Sequence, residues 1–413
     1  MRWFFGFVYH YPLLMAFLWM AGSIVYRLRR VSRLWRGAPP PLPDPSPGVS
    51  VLIPCHNEEK CVRETIEQAV ALDYPNYEVI AIDDGSTDST PSILDELARR
   101  HSGLRIVTMS RNSGKAAALT MGALVARHEI IVCHDADAYL GKDAIRWFVW
   151  HFANFPRVGA VTGNPRIRNR TTLLGKIQVG EYSTIIGMIK RTQRLAGKVF
   201  TVSGVAVAFR KRALLDVGFW RRDTVTEDID ITWRLQMRFW DVRYEERALC
   251  WILTPETMRG LWKQRVRWAR GGAEAVIRYG RSLFDYKQRR FWPVYIEYAL
   301  SLLWAFSFAL TAVLALINMI HPLPGDLGLA AVIPPGWGGT FLACVCMMQA
   351  ALALLFDGTF EKGLFKYLFW FIWYPFIYWI LSSAATIRGL PEAIAGLLRR
   401  RTAVWESPDR GLR

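Results

Sequence analysis

Four short clusters of polar residues carry the chemistry that this sequence offers. The first is Asp83-Asp84-Gly85-Ser86-Thr87-Asp88. Adjacent carboxylates accept hydrogen bonds from a base N–H and from ribose hydroxyls, although Asp-Gly-Ser is equally ordinary turn chemistry. The second is Asp135-Ala136-Asp137. Two carboxylates one residue apart supply the hard oxygen ligands that Mg²⁺ or Mn²⁺ prefers, and such an ion can bridge a diphosphate and act on it as a Lewis acid. The preceding His134 fits a packing or supporting role better than a ligand role. The third is Thr226-Glu227-Asp228. Transfer to a hydroxyl needs one base to take its proton, and Asp228 is the candidate. The same three residues also read as a helix start, with Thr226 as cap and acids in the first turn. The fourth is Gln264-Arg265-Val266-Arg267-Trp268. Gln264 and Arg267 could hold phosphate oxygens and acceptor hydroxyls while Trp268 gives a sugar ring a stacking face. The whole stretch also reads as a basic amphipathic helix on a membrane surface.

Apolar runs and helical spacing must place these clusters. Strands are expected at 49–54, 78–83, 104–109 and 129–134, and helices at 58–71, 91–100 and 113–127. Alternation of this kind gives an α/β domain with a mostly parallel sheet and a nucleotide-type site at the strand ends. The first two acidic clusters both follow expected strands directly. There is no Gly-x-Gly-x-x-Gly fingerprint and no P-loop, which argues against dinucleotide enzymes and P-loop NTPases.

Of 413 residues, 52% are hydrophobic, with 18 Trp and 22 Phe, and the net charge is +17. The basic residues cluster beside apolar spans, at Arg27-Leu28-Arg29-Arg30 and Arg399–Arg401, so the charge reads as membrane flank rather than as a nucleic-acid surface. The six cysteines form no CxxC pair and no zinc spacing, which fits a reduced cytosolic domain. Trp3–Tyr26 is long enough for a bilayer core of about 30 Å and reads as an uncleaved anchor whose C-terminal end is cytosolic. Residues 293–320, 339–356 and 367–387 are further spanning candidates; Pro375 could break the last of them, and 328–335 could belong to a longer crossing. With residues 37–292 in the cytosol and three crossings after them, the tail would end outside, against Arg388 and Arg399–Arg401, so one of the three segments could instead be re-entrant or lie in the interface; the expected count is four crossings, plus or minus one. The expected plan is an anchor at 1–36, a proline-rich linker at 37–48 and a catalytic domain at 49–250. Amphipathic interface helices follow at 251–292, transmembrane helices at 293–390, and a basic tail at 391–413.

Taken together and in this order, Asp83-Asp84, Asp135-x-Asp137, Thr226-Glu227-Asp228 and Gln264-x-x-Arg267-Trp268 resemble the signature of processive members of glycosyltransferase family 2. Within it the chain is similar to the catalytic subunits of bacterial poly-β-1,6-N-acetyl-D-glucosamine synthases. The carrying segments include Ile53–Glu59, Val161–Arg168, Gln178–Tyr182, Val199–Gly204, Ala248–Leu253, Leu261–Glu274 and Ser407–Gly411. The resemblance implies a GT-A fold, UDP-N-acetylglucosamine (UDP-GlcNAc) as donor, a divalent cation, and inversion to β linkages in a growing polysaccharide. By the same resemblance Pro54, Asn57, Glu58, Asp83, Asp84 and Lys115 would lie on the donor nucleotide. Asp135 and Asp137 would meet metal and diphosphate, and Asp228 would be the base. Gln264 and Arg267 would hold donor phosphates, and Ser203, Gly204, Glu227 and Trp268 would face the acceptor. It further implies the bacterial inner membrane, a catalytic domain in the cytosol, a small two-helix membrane subunit as partner, and cyclic di-GMP as an activator. Similar synthases often carry one more N-terminal hydrophobic helix than is seen here. No appended regulatory β-barrel is evident, and the Arg29/Arg33 spacing is explained better by a positive-inside flank than as a cyclic di-GMP site. A hyaluronan- or chitin-type synthase, and a catalytically silent membrane scaffold, are the competing readings.

Overall fold

The computed structural model describes residues 2–30, 38–321, 337–372 and 374–399. Arg33, the 328–335 stretch and the tail from Arg400 onward lie outside them. The chain forms two compact units. One contains 196–257 and the described part of 29–170. The other contains 2–28, 171–195 and the described part of 258–398. Residues 171–195, inside the stretch read as one catalytic domain, therefore belong with the helices.

The first unit is built on eight strands: β1 Val49–Cys55, β2 Tyr77–Asp83, β3 Leu104–Thr108, β4 Ile130–Cys133, β5 Tyr139–Leu140, β6 Val158–Ile167, β7 Val207–Arg210 and β8 Asp241–Ile252. They lie in the order β3-β2-β1-β4-β7-β6-β8-β5. The β3-β2-β1-β4 half is parallel, as the alternating pattern requires. Strand β7 runs antiparallel to both β4 and β6, so the whole sheet is mixed. Every residue of β1 is buried, because helices cover both faces. One face of the sheet, with Leu52, Ile80, Ile82, Ile131 and Phe209, packs against Leu119, Trp220 and Ile231.

Pro54 sits in this central strand without breaking it. Alternate residues of β1 bond to β2 and to β4: Val49 N donates to Asn76 O, whereas Leu52 O accepts from His134 N. By that alternation Pro54 faces the β4 side, where the register has already ended at Leu52 and Cys133. Its missing N–H therefore costs no ladder bond. The order reverses between β1 and β4, and an α/β sheet opens a crevice at such a switch point, outside the C-terminal strand ends.

The second unit is helical. Its long helices are α1 (Arg2–Arg30), α10 (Met258–Tyr279), α11 (Trp292–Ile320), α12 (Trp337–Asp357) and α14 (Tyr374–Arg399); α13 is the single turn Leu368–Phe371. Among the described residues, three helices are long and apolar enough to cross a membrane, at 4–29, 292–318 and 338–357. A fourth crossing results if 364–371 and 374–399, bent by 71°, count as one span. The bend falls just ahead of Pro375, which sits in the first turn of α14, where its lack of an N–H is harmless. Helix α1 is held to α11 by Trp304 Nε1 donating to Val8 O at 2.9 Å. The 171–195 segment comprises α6 (Leu173–Glu181), a π-helical stretch Tyr182–Met188 and α7 (Ile189–Leu195). Thr192 on α7 donates to Trp19 O at 3.0 Å, and Gly22 lets the two backbones approach: a Cβ there would lie 2.2 Å from Thr192 Cγ2.

Candidate active site

Two loops at the C-terminal ends of β1 and β2 are laced together. Asn57 turns the chain at φ 55°. Its N–H donates to Ser86 Oγ at 3.0 Å and its Oδ1 accepts from Thr87 N at 2.9 Å. Glu58 N donates to Thr90 Oγ1 at 2.8 Å, and Glu59 N to Asp88 Oδ2 at 3.1 Å. Asp83 Oδ1 accepts from Ser86 N at 3.1 Å. Asp84 is fully buried, and each of its oxygens accepts a backbone N–H at 2.8 Å, Oδ1 from Ser113 and Oδ2 from Gly114. It thus clamps the turn that opens α4 (Lys115–Val125). Gly85 is required at φ +63°, since a Cβ would fall 2.6 Å from the Arg111 carbonyl carbon. His56, which no motif singles out, joins the same turn. Its Nδ1 lies 2.9 Å from Asp84 O and its Nε2 lies 3.0 Å from Asn112 Nδ2. A carbonyl on one side and an amide NH₂ on the other favour the Nδ1–H tautomer.

The clamp places Lys115 at the first residue of α4. Its Nζ lies 2.5 Å from Asp135 Oδ1 and 3.3 Å from Glu227 Oε1. Burial alone would lower this ammonium, but Asp135 and Glu227 outweigh it and its pKa is raised, so Lys115 is a fixed cation. Asp135 and Asp137 follow β4, and Thr65 Oγ1, from helix α2 (Val62–Ala69), ties their loop by donating to Ala136 O at 2.6 Å. Burial, with the neighbouring Asp135 charge adding to it, pushes Asp137 up to about 7. His134 is pulled down to about 4 by burial and its Nδ1 lies 3.0 Å from Asp135 O, so a neutral supporting residue stands where the sequence suggested one.

Asp228 lies in the first turn of α9 (Glu227–Met237), its Oδ1 accepting from Ile229 N at 2.9 Å. Thr226 occupies the cap position but makes no side-chain capping bond, which differs from the cap that the sequence led us to expect. The loop carrying Ser203 and Gly204 is fixed from two sides: Ser203 N donates to Thr162 Oγ1 at 2.8 Å and Val202 N to Thr232 Oγ1 at 2.9 Å. At Gly204 a Cβ would stand 3.4 Å from Lys115 Nζ and 3.8 Å from Asp228 Oδ2. Gly204, Glu227 and Asp228 line one small pocket. One crevice thus assembles Lys115, Asp135, Glu227, Asp228 and Gly204 from four separate stretches of chain. Gln264, Arg267 and Trp268 belong to α10, in the helical unit. There Arg267 is exposed, and the buried Gln264 Oε1 has no hydrogen-bond partner among the described residues.

Among the described residues no group of three or more His, Cys, Asp or Glu side chains could enclose a metal. Asp135 and Asp137 still fit a divalent ion of the Mg²⁺ type, which takes one or two carboxylates and completes its shell with phosphate oxygens and water. Burial first, and the Asp135 charge second, make the Asp137 carboxylate costly to ionise, and a cation bound beside it would offset that cost.

The profile of a glycosyltransferase-like family 2 matches residues 46–271, which spans every acidic cluster and the Gln264–Trp268 motif. The chain belongs to glycosyltransferase family 2. Two curated family 2 relatives are named poly-β-1,6-N-acetyl-D-glucosamine synthase. That of Staphylococcus epidermidis is 38% identical and covers 98% of each chain. That of Staphylococcus aureus strain COL is 37% identical and covers 99% of this chain and 98% of its own. In fold, the chain is similar to a mannosyltransferase from Pyrobaculum calidifontis, solved with GDP-mannose and Mn²⁺, with a TM-score of 0.65 at 22% identity over 94% of this chain and 98% of the other. The sheet unit is a GT-A glycosyltransferase fold, and its family 2 chain carries helices able to span a membrane.

Proposed function

We propose that this chain is a processive, inverting glycosyltransferase that polymerises N-acetylglucosamine from UDP-GlcNAc into β-1,6-linked poly-N-acetylglucosamine for a biofilm matrix. The observation that carries the reading is likeness over essentially the full length to proteins of that name. The crevice supplies chemistry to match. Asp228 takes the proton of the acceptor hydroxyl. The freed oxygen attacks the anomeric carbon from the face opposite the nucleotide, the bond from that carbon to the diphosphate breaks, and UDP leaves. Backside attack turns the α-linked donor into a β linkage. Gly204 keeps a side chain away from Asp228 Oδ2. Lys115 holds Asp135 in place through their contact at 2.5 Å. A divalent cation held by Asp135 and Asp137 would neutralise the leaving diphosphate. Asp83 and the Asn57–Glu58 turn bound the nucleotide side, while Asp84 shapes the Lys115 turn from behind. Gln264 and Arg267 offer polar atoms to phosphate oxygens, and Ser203, Glu227 and Trp268 take the acceptor end.

The reading also places the protein in the bacterial inner membrane with its sheet unit in the cytosol, where nucleotide sugars are made. A small two-helix membrane subunit as partner and cyclic di-GMP as activator belong to it as well. The test uses membranes carrying the chain with and without that subunit, supplied with UDP-GlcNAc and Mg²⁺ or Mn²⁺. UDP release is followed, and the product is digested with a β-1,6-specific hexosaminidase. Digestible polymer is the expected result. A need for UDP-glucuronate would point to a hyaluronan-type enzyme, and β-1,4 product to a chitin-type one. The absence of both UDP release and polymer under all of these conditions would overturn the enzyme reading.

A further inference from the structure

The Gln264–Trp268 motif contains an arginine at a position that its signature leaves open. Arg265 is not on the surface with Arg267 but buried in the helical unit. Its guanidinium pairs with Glu181 at 2.6 Å, where the two side chains are 6% and 2% exposed. Its Cζ lies 4.4 Å from the centre of the Trp268 ring. Tyr374, at the start of α14, donates its hydroxyl to the other Glu181 oxygen at 2.6 Å. Tyr182, the residue after Glu181, puts its own ring 6.5 Å from Trp268. Glu181 is also the last residue of α6 before the π-helical stretch, and π-bulges recur where a helix must aim a functional side chain.

We propose that Glu181, Arg265 and Tyr374 are positioning residues that fix the Trp268 indole as the platform for the acceptor sugar. The inference rests on the reading of Trp268 as that platform. An indole in an interfacial helix would otherwise sample several rotamers. Here one face is occupied by a planar cation whose own position is set by a buried carboxylate, and that carboxylate is set by a hydroxyl from a third segment. Stacking needs a ring held at one angle, so the chain spends three buried polar residues on that angle. Arginine suits the task and lysine does not, because only the guanidinium is flat enough to lie on an indole while facing a carboxylate with its edge. A plain structural ion pair would accept either cation.

That difference gives the test. Full-length Arg265→Lys, Arg265→Met, Glu181→Gln, Tyr374→Phe and Trp268→Ala are compared in membranes. Three readouts are taken: UDP release without acceptor, the donor KM, and polymer formed per UDP with its length. Arg265→Lys is expected to keep UDP release and donor KM while polymer per UDP falls on the order of tenfold, about what a desolvated cation–π contact is worth. Glu181→Gln should follow it, and Tyr374→Phe should show a smaller loss in the same direction. In a Trp268→Ala background, Arg265→Lys should add little further loss. The inference is overturned if Arg265→Lys matches the parent while Arg265→Met loses UDP release and polymer together, since the pair is then only structural. If Trp268→Ala itself leaves polymer per UDP and chain length unchanged, the platform reading fails first and this inference goes with it. The two failures are read from different variants.

Discussion

At the scale of single residues, the crevice separates roles that the sequence could only group. Asp83 and Asp84 are adjacent and both acidic, yet Asp84 spends both oxygens on the Ser113 and Gly114 N–H groups. Asp84→Ala is therefore expected to weaken UDP binding by loosening the turn before Lys115, a change measurable by titration calorimetry. Asp228→Asn should abolish measurable polymer, in line with the roughly 10²–10⁴-fold that general-base assistance contributes. UDP affinity should survive in that variant, and its loss would count against the assignment. Asp137→Ala should instead weaken metal-dependent UDP binding. Because Asp137 sits at about 7 without a cation, protons and metal compete for it near neutrality. The apparent affinity for Mg²⁺ should rise as pH climbs through that value and fall below it, and a flat profile would contradict the pairing. The Asp83-Asp84 and Asp135-x-Asp137 clusters were legible because each follows an apolar run directly, and Thr226-Glu227-Asp228 because acids behind a threonine mark a helix start. His56, Thr162 and Thr232 were not, since a polar residue that fixes a loop through one long-range bond leaves no periodic signal.

At the scale of elements, apolar runs located the parallel half of the sheet to within a residue or two at most ends. The expected strand at 49–54 is Val49–Cys55, and that at 104–109 is Leu104–Thr108. The helix expected from 58 begins only at Val62, and the Glu58 and Glu59 N–H groups ahead of it bond to Thr90 and Asp88 across the neighbouring loop. The reversed strand β7 and the π-helical stretch carry no such pattern, since strand direction and helix pitch are set by tertiary contacts. The same holds for the tie between helix α5 (Ala144–Asn154) and β8. His151 Nε2 lies 2.9 Å from Glu245, and both side chains are fully buried. Burial alone would raise the Glu245 carboxyl, but His151 and Arg247 hold it well below the usual range. A depressed carboxyl contributes stability above its unfolded pKa, about 4.3, and loses it as pH falls through the folded value. Glu245→Gln should thus destabilise the sheet unit at neutral pH by about 3–5 kcal/mol, the cost of breaking a buried pair. The deficit should shrink in acid denaturation series.

At the scale of the whole molecule, two separate cores have different sensitivities. The sheet unit is packed around Leu52, Ile80 and Phe209, whereas the helical unit has its own cluster of Ala16, Trp19, Met20, Met188 and Val345. A ligand that binds only the folded sheet unit stabilises that unit by mass action, by about 2.7 kcal/mol at a hundredfold excess over Kd. UDP with Mn²⁺ should therefore raise the melting of the sheet unit, followed by the fluorescence of a label placed there. Gly22→Val tests the other core. Its Cβ would meet Thr192 at 2.2 Å, and overpacking of this kind costs about 1–3 kcal/mol. The variant should lower the melting of the helical unit in detergent while the UDP-dependent shift of the sheet unit persists. If Gly22→Val removed that shift as well, nucleotide binding would have to depend on the helical unit, where Gln264 and Arg267 lie, more than on the crevice residues of the sheet unit.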